Sequence, residues 1–236
     1  MTMSHDKKPA APRAGTVSRP GPSRGPVRPG SEQKPDGTDA LRPDLARIAS
    51  WIQPQSRVLD LGCGDGALLA YLRDHKSVVG AGVELDDEHV IASVRRGVPV
   101  IQQNLENGLA LFGDQQFDTV VLSQTLQSMH HTEHILREMA RVARSGVVSF
   151  PNFGYWPHGW SILFGRMPVT GEMPYQWYDT PNIHLCTLRD FENLARSLDL
   201  HITDLATFNV DREVKFLPGW RSTLAVYRFE SPRGPH

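Results

Sequence analysis

Cysteine is scarce in this 236-residue sequence: Cys63 and Cys186 are the only two. They cannot build a disulfide scaffold, and a reducing, cytoplasmic setting is the expectation. No apolar run approaches the roughly 18 residues of a membrane span, so no membrane association is expected. Met1 to Ala11 is polar and lacks the apolar centre of a secretory signal. Excess charge is also missing, with 25 Lys and Arg against 26 Asp and Glu and a net charge of -1. Such a balance argues against nucleic-acid binding through a whole-surface field. No pair has zinc-ligand spacing, because Cys63 and Cys186 are far apart and His130 and His131 are adjacent. Without a G-x-S-x-G elbow, the chain is not expected to transfer acyl groups through a serine of that kind.

The average conceals two unlike pieces. Residues 1–40 hold seven of the 18 prolines, five glycines, seven Lys or Arg and four Asp or Glu. Their large apolar residues are Met1, Met3, Val17 and Val27. Too little apolar surface is available there to offset the entropy of ordering, so a disordered Pro/Gly-rich tail is expected. Acidic residues and the lack of an amphipathic pattern weigh against a transit peptide. The lack of stacking aromatics weighs against an RNA-binding arm. Residues 41–236 are long enough for one sizeable core.

Within 41–236, strands and helices alternate. Leu45, Ile48, Ala49 and Ile52 share one helical face behind Pro43. Arg57 to Leu61 reads as a buried strand, Gly62 to Gly66 as a tight loop and Ala67 to Arg73 as a helix. Val78 to Val83 reads as a strand, Glu88 to Arg96 as a helix with Gly97 to end it, and Val98 to Ile101 as a short strand. Phe117 to Ser123 is a fourth strand and Gly146 to Phe150 a fifth. Between them, Thr132 is expected to cap a helix running to Ala143. Thr187 is expected to cap Leu188 to Leu198, with Asp190 in a capping-box position. His201 to Phe208 and Thr223 to Phe229 are late strands expected to run antiparallel to each other. Such alternation implies an α/β fold with a parallel sheet covered on both faces. Gly154 to His184 breaks the rhythm. This insertion carries Tyr155, Trp156, Trp160, Phe164, Tyr175, Trp177 and Tyr178, and follows the C-terminal end of a strand, where ligands bind in open α/β sheets.

The glycine loop carries the most chemistry. Gly62, Gly64 and Gly66 alternate, so the backbone can turn sharply and approach a ligand closely. The helix that follows directs its N-terminal amides into the loop. Glu84, at the end of the second strand, can accept both ribose hydroxyls of a nucleoside. A dinucleotide site is satisfied loosely by Gly62, Gly64 and Ala67, but Asp60 would then sit near a pyrophosphate. An S-adenosyl-L-methionine site suits Asp60 better, because a carboxylate there can hold the methionyl ammonium. NAD remains the alternative.

The segments VLDLGCGDGALL (58–69), GVELD (82–86), FDTVVLSQTLQ (117–127), VSFPNFG (148–154) and RMPVTGEMPYQWYDTPNIHLCTLRDFE (166–192) resemble class I S-adenosylmethionine-dependent methyltransferases. More specifically, 41–230 resembles the methionine biosynthesis protein MetW family. The resemblance implies a Rossmann-like, doubly wound, mostly parallel sheet of about seven strands. It places Asp60, Gly62, Cys63 and Gly64 at the methionine end of the cofactor and Glu84 at the ribose. Where relatives have Gly-Asp, this chain has Gln103-Asn104. The Asn104 carbonyl can still accept from the adenine amine, and the Leu105 amide can meet the ring. Ser123 and Gln124 would face the transferring methyl. The resemblance also implies a partner, homoserine O-acyltransferase, whose acylation of homoserine the family supports.

No catalytic dyad stands out. Tyr175, Tyr178, His130, His131 and His184 are candidate bases; His184 is equally suited to tie the insertion to the sheet. Cys63 could be acidified at a helix N-terminus but more simply fits a tight turn. Tyr175, Trp177, Tyr178 and His184 form the candidate substrate or partner surface, of the kind favoured at interfaces. Two readings result: a ligand-binding partner of the acyltransferase, or an active small-molecule methyltransferase.

Overall fold

A computed structural model describes residues 41–170 and 175–231. The expected tail, 1–40, lies outside them. The core is an eight-stranded sheet built from β1 (Arg57–Leu61), β2 (Val79–Glu84), β3 (Val100–Gln102), β4 (Phe117–Ser123), β5 (Ala143–Pro151), β6 (His201–Asn209), β7 (Arg212–Glu213) and β8 (Leu224–Glu230). Its spatial order is β3-β2-β1-β4-β5-β8-β6-β7. The strands from β3 to β5 pair in parallel, whereas β8 runs antiparallel to both β5 and β6. The order reverses between β1 and β4, and that switch point opens a crevice at the C-terminal ends of the strands.

Alternation along each strand sorts the core into two layers. Val58, Val121, Val147, Ala206 and Val226 pack with Ile48, Ala49, Ile52 and Leu68, Leu69, Leu72 on one face. These come from α1 (Pro43–Trp51), its C-terminal flank and α2 (Ala67–Lys76). Leu59, Leu61, Val120, Leu122, Val148, Tyr227 and Phe229 pack on the other face with Ile135, Leu136, Met139 and Phe191. Those belong to α4 (Thr132–Val142) and α6 (Leu188–Ser197), while α3 (Asp87–Arg95) follows β2. A doubly wound α/β domain is the result, as the alternation of the sequence implied. The sheet has one strand more than expected because the two-residue β7 adds a short edge to β6.

Boundaries moved where tertiary pairing overrode local signals. The strand expected from Gly146 starts at Ala143, which pairs with Phe117 directly after α4 ends. Thr132 is the first residue of α4 rather than its cap; His131 occupies the cap position and supplies no side-chain hydrogen bond to the helix. Thr187 and Asp190 do form the full capping box of α6, and Gly97 takes a left-handed φ of +71° just past α3. The insertion contains a helix that its composition did not announce, α5 (Trp156–Leu163), and α7 (Pro218–Arg221) precedes β8. Among the described residues, no helix is long and apolar enough to cross a membrane.

Gly146 matters because a Cβ there would run into the Phe229 ring on the neighbouring β8. Overpacking inside a sheet cannot relax without shifting a strand. Gly146→Val should lower stability by about 2 kcal/mol or more, read as a fall in the urea midpoint at unchanged m-value; an unchanged midpoint would show that the ring has room to move.

Candidate functional site

Three strand ends build the site. β1 runs into the glycine loop, where the Gly62 and Cys63 amides both donate to the Val83 carbonyl, at 2.7 and 3.2 Å. This fold-back across β2 requires left-handed backbone at Gly62, Gly64 and Gly66, with φ of +70°, +57° and +76°. Gly62 is further confined because a Cβ would approach Thr125 Oγ1 to 2.6 Å. At Gly64 a Cβ would meet nothing within 4 Å, so open space lies beside the bend. Ser93 of α3 braces the loop from behind by donating its hydroxyl to the Gly64 carbonyl at 2.8 Å.

Glu84 closes the crevice from β2. Its buried carboxylate accepts from the Gly64 amide at 2.9 Å, the Leu85 amide at 2.8 Å and the Asp86 amide at 3.0 Å. Asp60, on β1, is equally buried at 3% exposure. Burial, and then the nearby negative charge of Glu84, pushes its pKa up to about 7; no hydrogen bond offsets them. Two acids are thus held together at one sheet crevice, one satisfied by backbone amides and the other not. Cys63 turns inward: its sulfur packs against Gly82 and lies 3.9 Å from Ser93 Oγ. Burial and the Asp60 charge push the thiol up to about 12, so it is not an activated nucleophile.

The remaining expected residues have protein partners. Asn104 Oδ1 accepts from the Glu106 amide at 2.9 Å and caps the 3-10 turn Leu105–Asn107. It can serve a second donor only through its other lone pair. The turn lies beside Glu84, whose carbonyl accepts from the Gln103 amide at 3.0 Å. Ser123 Oγ lies 3.1 Å from Ser149 Oγ. Gln124 has a left-handed φ of +50°, held by its amide donating to the Ser149 carbonyl at 2.9 Å. Its side chain donates to Asp44 Oδ2 at 3.0 Å, which docks the start of α1 over the end of β4. Asp44, Ser93 and Thr125 are the positioning residues that sequence reading missed. A serine inside the helical stretch of α3 was the one visible cue.

A second concavity of about 720 Å³ lies between the ends of α4 and α6. His130, His131 and His184 line it with Leu126, Phe150 and Phe191, and neither Asp60 nor Glu84 does. The amides of Ile183 and His184 both donate to the Gln127 carbonyl, at 2.8 and 3.0 Å. Thus the backbone of His184 ties the insertion to the end of β4, while its ring stands at the cavity wall. Trp177 and Tyr178 form an edge-to-face pair on the surface, both 71% exposed, and Tyr175 is half-buried. Among the described residues, no group of three or more His, Cys, Asp or Glu side chains could hold a metal ion.

This arrangement can be set against known proteins. The model of a family described as Methionine biosynthesis protein MetW matches residues 42–229. The chain belongs to the MetW family. A curated relative in Rhodopirellula baltica, the bifunctional methionine biosynthesis protein MetXA/MetW, is 37% identical over 188 residues. That match covers 75% of this chain but only 30% of the relative, so this MetW-family chain spans under a third of that protein's length. Solved structures share the fold at low identity. A SAM-dependent methyltransferase from Archaeoglobus fulgidus is 14% identical with a TM-score of 0.60, covering 79% of this chain and 90% of that one. A chain from the Haloferax volcanii complex between the Trm112 methyltransferase activator and a methyltransferase is 16% identical, also with a TM-score of 0.60, covering 83% of this chain and 91% of that one. The cyclase SpnF, 18% identical, reaches 0.58 over 81% of each chain. Its presence beside methyltransferases means that this fold alone does not decide a reaction.

The raised pKa of Asp60 has a consequence for stability. Its folded value of about 7 exceeds its ordinary 3.8, so the native state holds the proton more tightly than the unfolded chain. The stability that this group contributes is fully present below about pH 4 and is lost as pH rises through 7. Asp60→Asn removes that loss. Without added ligand, the variant should be more stable than the parent at pH 8 by roughly 2 to 4 kcal/mol, with the two converging near pH 4. Denaturant titrations across this range check it, and parallel curves would count against a protonatable Asp60.

Proposed function

We propose that this MetW-family chain binds S-adenosyl-L-methionine in the Asp60–Glu84 crevice and acts as a partner of homoserine O-acyltransferase, supporting homoserine acylation. One observation carries the ligand reading: a buried carboxylate, Asp60, has no cation beside it among the described residues and stands at a glycine bend with open space at Gly64. The residues fit this nucleoside. Asp60 would receive the methionyl ammonium, Gly62 and the Cys63 backbone would bound the methionine portion, and Gly64 would leave room for close approach. Glu84 would accept ribose hydroxyls on lone pairs that its three amide donors leave free. Asn104 and the Leu105 amide would meet the adenine, while Ser123 and Gln124 would close the methyl end. When bound, the nucleoside supplies a methyl group activated on a sulfonium. A pyrophosphate fits less well, because Asp60 would repel it.

The partner reading rests on the family and on the relative whose name joins MetXA and MetW in one chain. Two activities fused in one organism are natural non-covalent partners in another. Tyr175, Trp177, Tyr178 and His184 are offered as partner-facing residues, since Trp and Tyr anchor interfaces. Two free cysteines, Cys63 and Cys186, suit a reducing cytoplasm. Ligand and partner binding would be coupled reciprocally, each changing the affinity for the other by the same factor. A second reading, methyl transfer to a small molecule, is favoured by the histidine-lined cavity beside the ends of β4 and β5. Release of labelled product from labelled cofactor and a cell extract would establish it.

Calorimetry with S-adenosylmethionine or S-adenosylhomocysteine tests the ligand. The ammonium draws Asp60 into its charged form, so binding expels a proton. Affinity should rise about tenfold per pH unit up to pH 7 and level off above it. Asp60→Asn should flatten that dependence, and Glu84→Ala should weaken binding at every pH. Absence of heat at any pH overturns the reading.

Coupling has its own test. Adding the nucleoside should change the affinity of this chain for purified homoserine O-acyltransferase by roughly 5-fold or more, measured by sedimentation. An identical affinity with and without it would remove the regulatory part of the proposal.

A further inference from the structure

Helix α5 is built inside out. Trp156, Trp160, Leu163 and Phe164 recur at i, i+4, i+7 and i+8, the spacing of a core-facing stripe. In a domain helix that stripe would be buried. Here Trp160 is 52% exposed and Phe164 73% exposed, and their rings stack on one another at 5.7 Å in full view of solvent. The opposite face carries His158, Ser161 and Ile162, the last 48% exposed. His158 is the side chain that the domain buries, at 2% exposure. Its Nδ1–H donates to the Phe153 carbonyl at 3.3 Å, and its ring packs against Phe153 and Tyr155. Burial lowers its pKa, which keeps the ring neutral. A histidine faces inward and two tryptophans face outward, so the helix is seated to present its apolar stripe.

The presentation is rigidly mounted. Asn152, at the end of β5 and fully buried, donates to the carbonyls of Gly219 and Ser222, at 3.0 and 2.8 Å. Its own Oδ1 accepts from the Gly154 amide at 3.0 Å. Thus α7, with Trp220 at 69% exposure, is fixed next to the start of α5. Asn152 thus links the roots of two helices that each expose large apolar side chains, Trp156 and Trp160 on α5 and Trp220 on α7, and exposed aromatic residues of this kind are favoured at interaction sites.

We propose that the outer face of α5, with Trp220 of α7, is an anchoring surface on which homoserine O-acyltransferase docks, in addition to the residues of the insertion named above. This rests on the partner reading above and adds the location. A membrane is a poorer occupant, because interfacial helices set Lys and Arg around their apolar face and Trp156–Leu163 contains neither. A protein that needs aromatic anchors and little charge fits it. The relative whose name joins MetXA and MetW in one chain supports a protein occupant from methionine biosynthesis, and the partner reading above takes it to be the acyltransferase. The mount also reaches the crevice: Ser149, three residues before Asn152 on β5, holds the Gln124 amide at the end of β4. A single strand end therefore bears on both the ligand crevice and the docking face.

The full chain and purified homoserine O-acyltransferase test this by sedimentation, with Trp160→Glu, Phe164→Glu and the milder Trp160→Ser compared with the parent. Nucleoside binding and thermal unfolding of each variant are followed in parallel. Expected is a loss of acyltransferase affinity of roughly 30-fold or more in each, with nucleoside affinity and melting temperature unchanged. If the parent binds the acyltransferase and all three variants bind equally well, the face is wrong and the partner reading stands. If the parent does not bind it, the partner reading fails and the docking face with it. Should the parent be a dimer that Trp160→Ser splits while acyltransferase affinity is unaltered, the face belongs to a second copy and the proposal is overturned. Should the glutamate variants unfold, Trp160→Ser decides by the same criteria.

Discussion

The contact on which the site depends is the reach of Glu84 across two strands to the amide of Gly64. It converts a loop of three left-handed glycines into a fixed bend and leaves a carboxylate at the rim. The bend can close only because its neighbours make room: a Cβ at Gly62 would meet Thr125, one at Gly66 would meet Ser93, and one at Gly82 would meet Cys63. Because Glu84 is satisfied by backbone donors, its charge is tolerated in a buried place. That same charge raises the cost of ionising Asp60 beside it. The crevice is thereby held in a state that a cationic ligand would relieve. This is an economical way to build specificity, since a neutral or anionic ligand would leave the strain in place.

The two ends of β5 divide the labour of the domain. Toward its start, Ala143 to Val148 pair with β4 and β8 and carry the core. Toward its end, Ser149 faces the β4 turn while Asn152 faces α7 and the root of α5. Both polar residues are fully buried, and both are satisfied by groups from another element. Buried, satisfied polar pairs of this kind specify relative placement more than they add stability. Placement is what a protein needs if a ligand crevice and an outer face are to sense each other.

Family and fold answer different questions. The match over 42–229 assigns the chain to the MetW family. Neighbours at 14 to 18% identity establish a shared architecture and include a cyclase as well as methyltransferases. Chemistry must therefore be argued from side chains. Those in the crevice are suited to holding a nucleoside, and none of them is an activated nucleophile or a base aimed at an acceptor.

The sequence by itself determined the alternation of strands and helices, the glycine bend and the pairing of Asp60 with Glu84, because these depend on local periodicity, on the left-handed freedom of glycine and on a fixed strand-to-strand distance. The capping box of Thr187 and Asp190 was legible for the same reason: four consecutive residues contain the whole interaction. Tertiary structure alone decided where β5 begins, since Ala143 is a strand residue only through its pairing with Phe117. It alone brought Asp44 to Gln124, 80 positions apart, and left Trp177 and Tyr178 exposed. Above all it decided which side of α5 faces water. Periodicity gives a stripe its angle around a helix axis, but the direction that stripe points is fixed by what lies beneath, and here a buried histidine, not the tryptophans, met the domain.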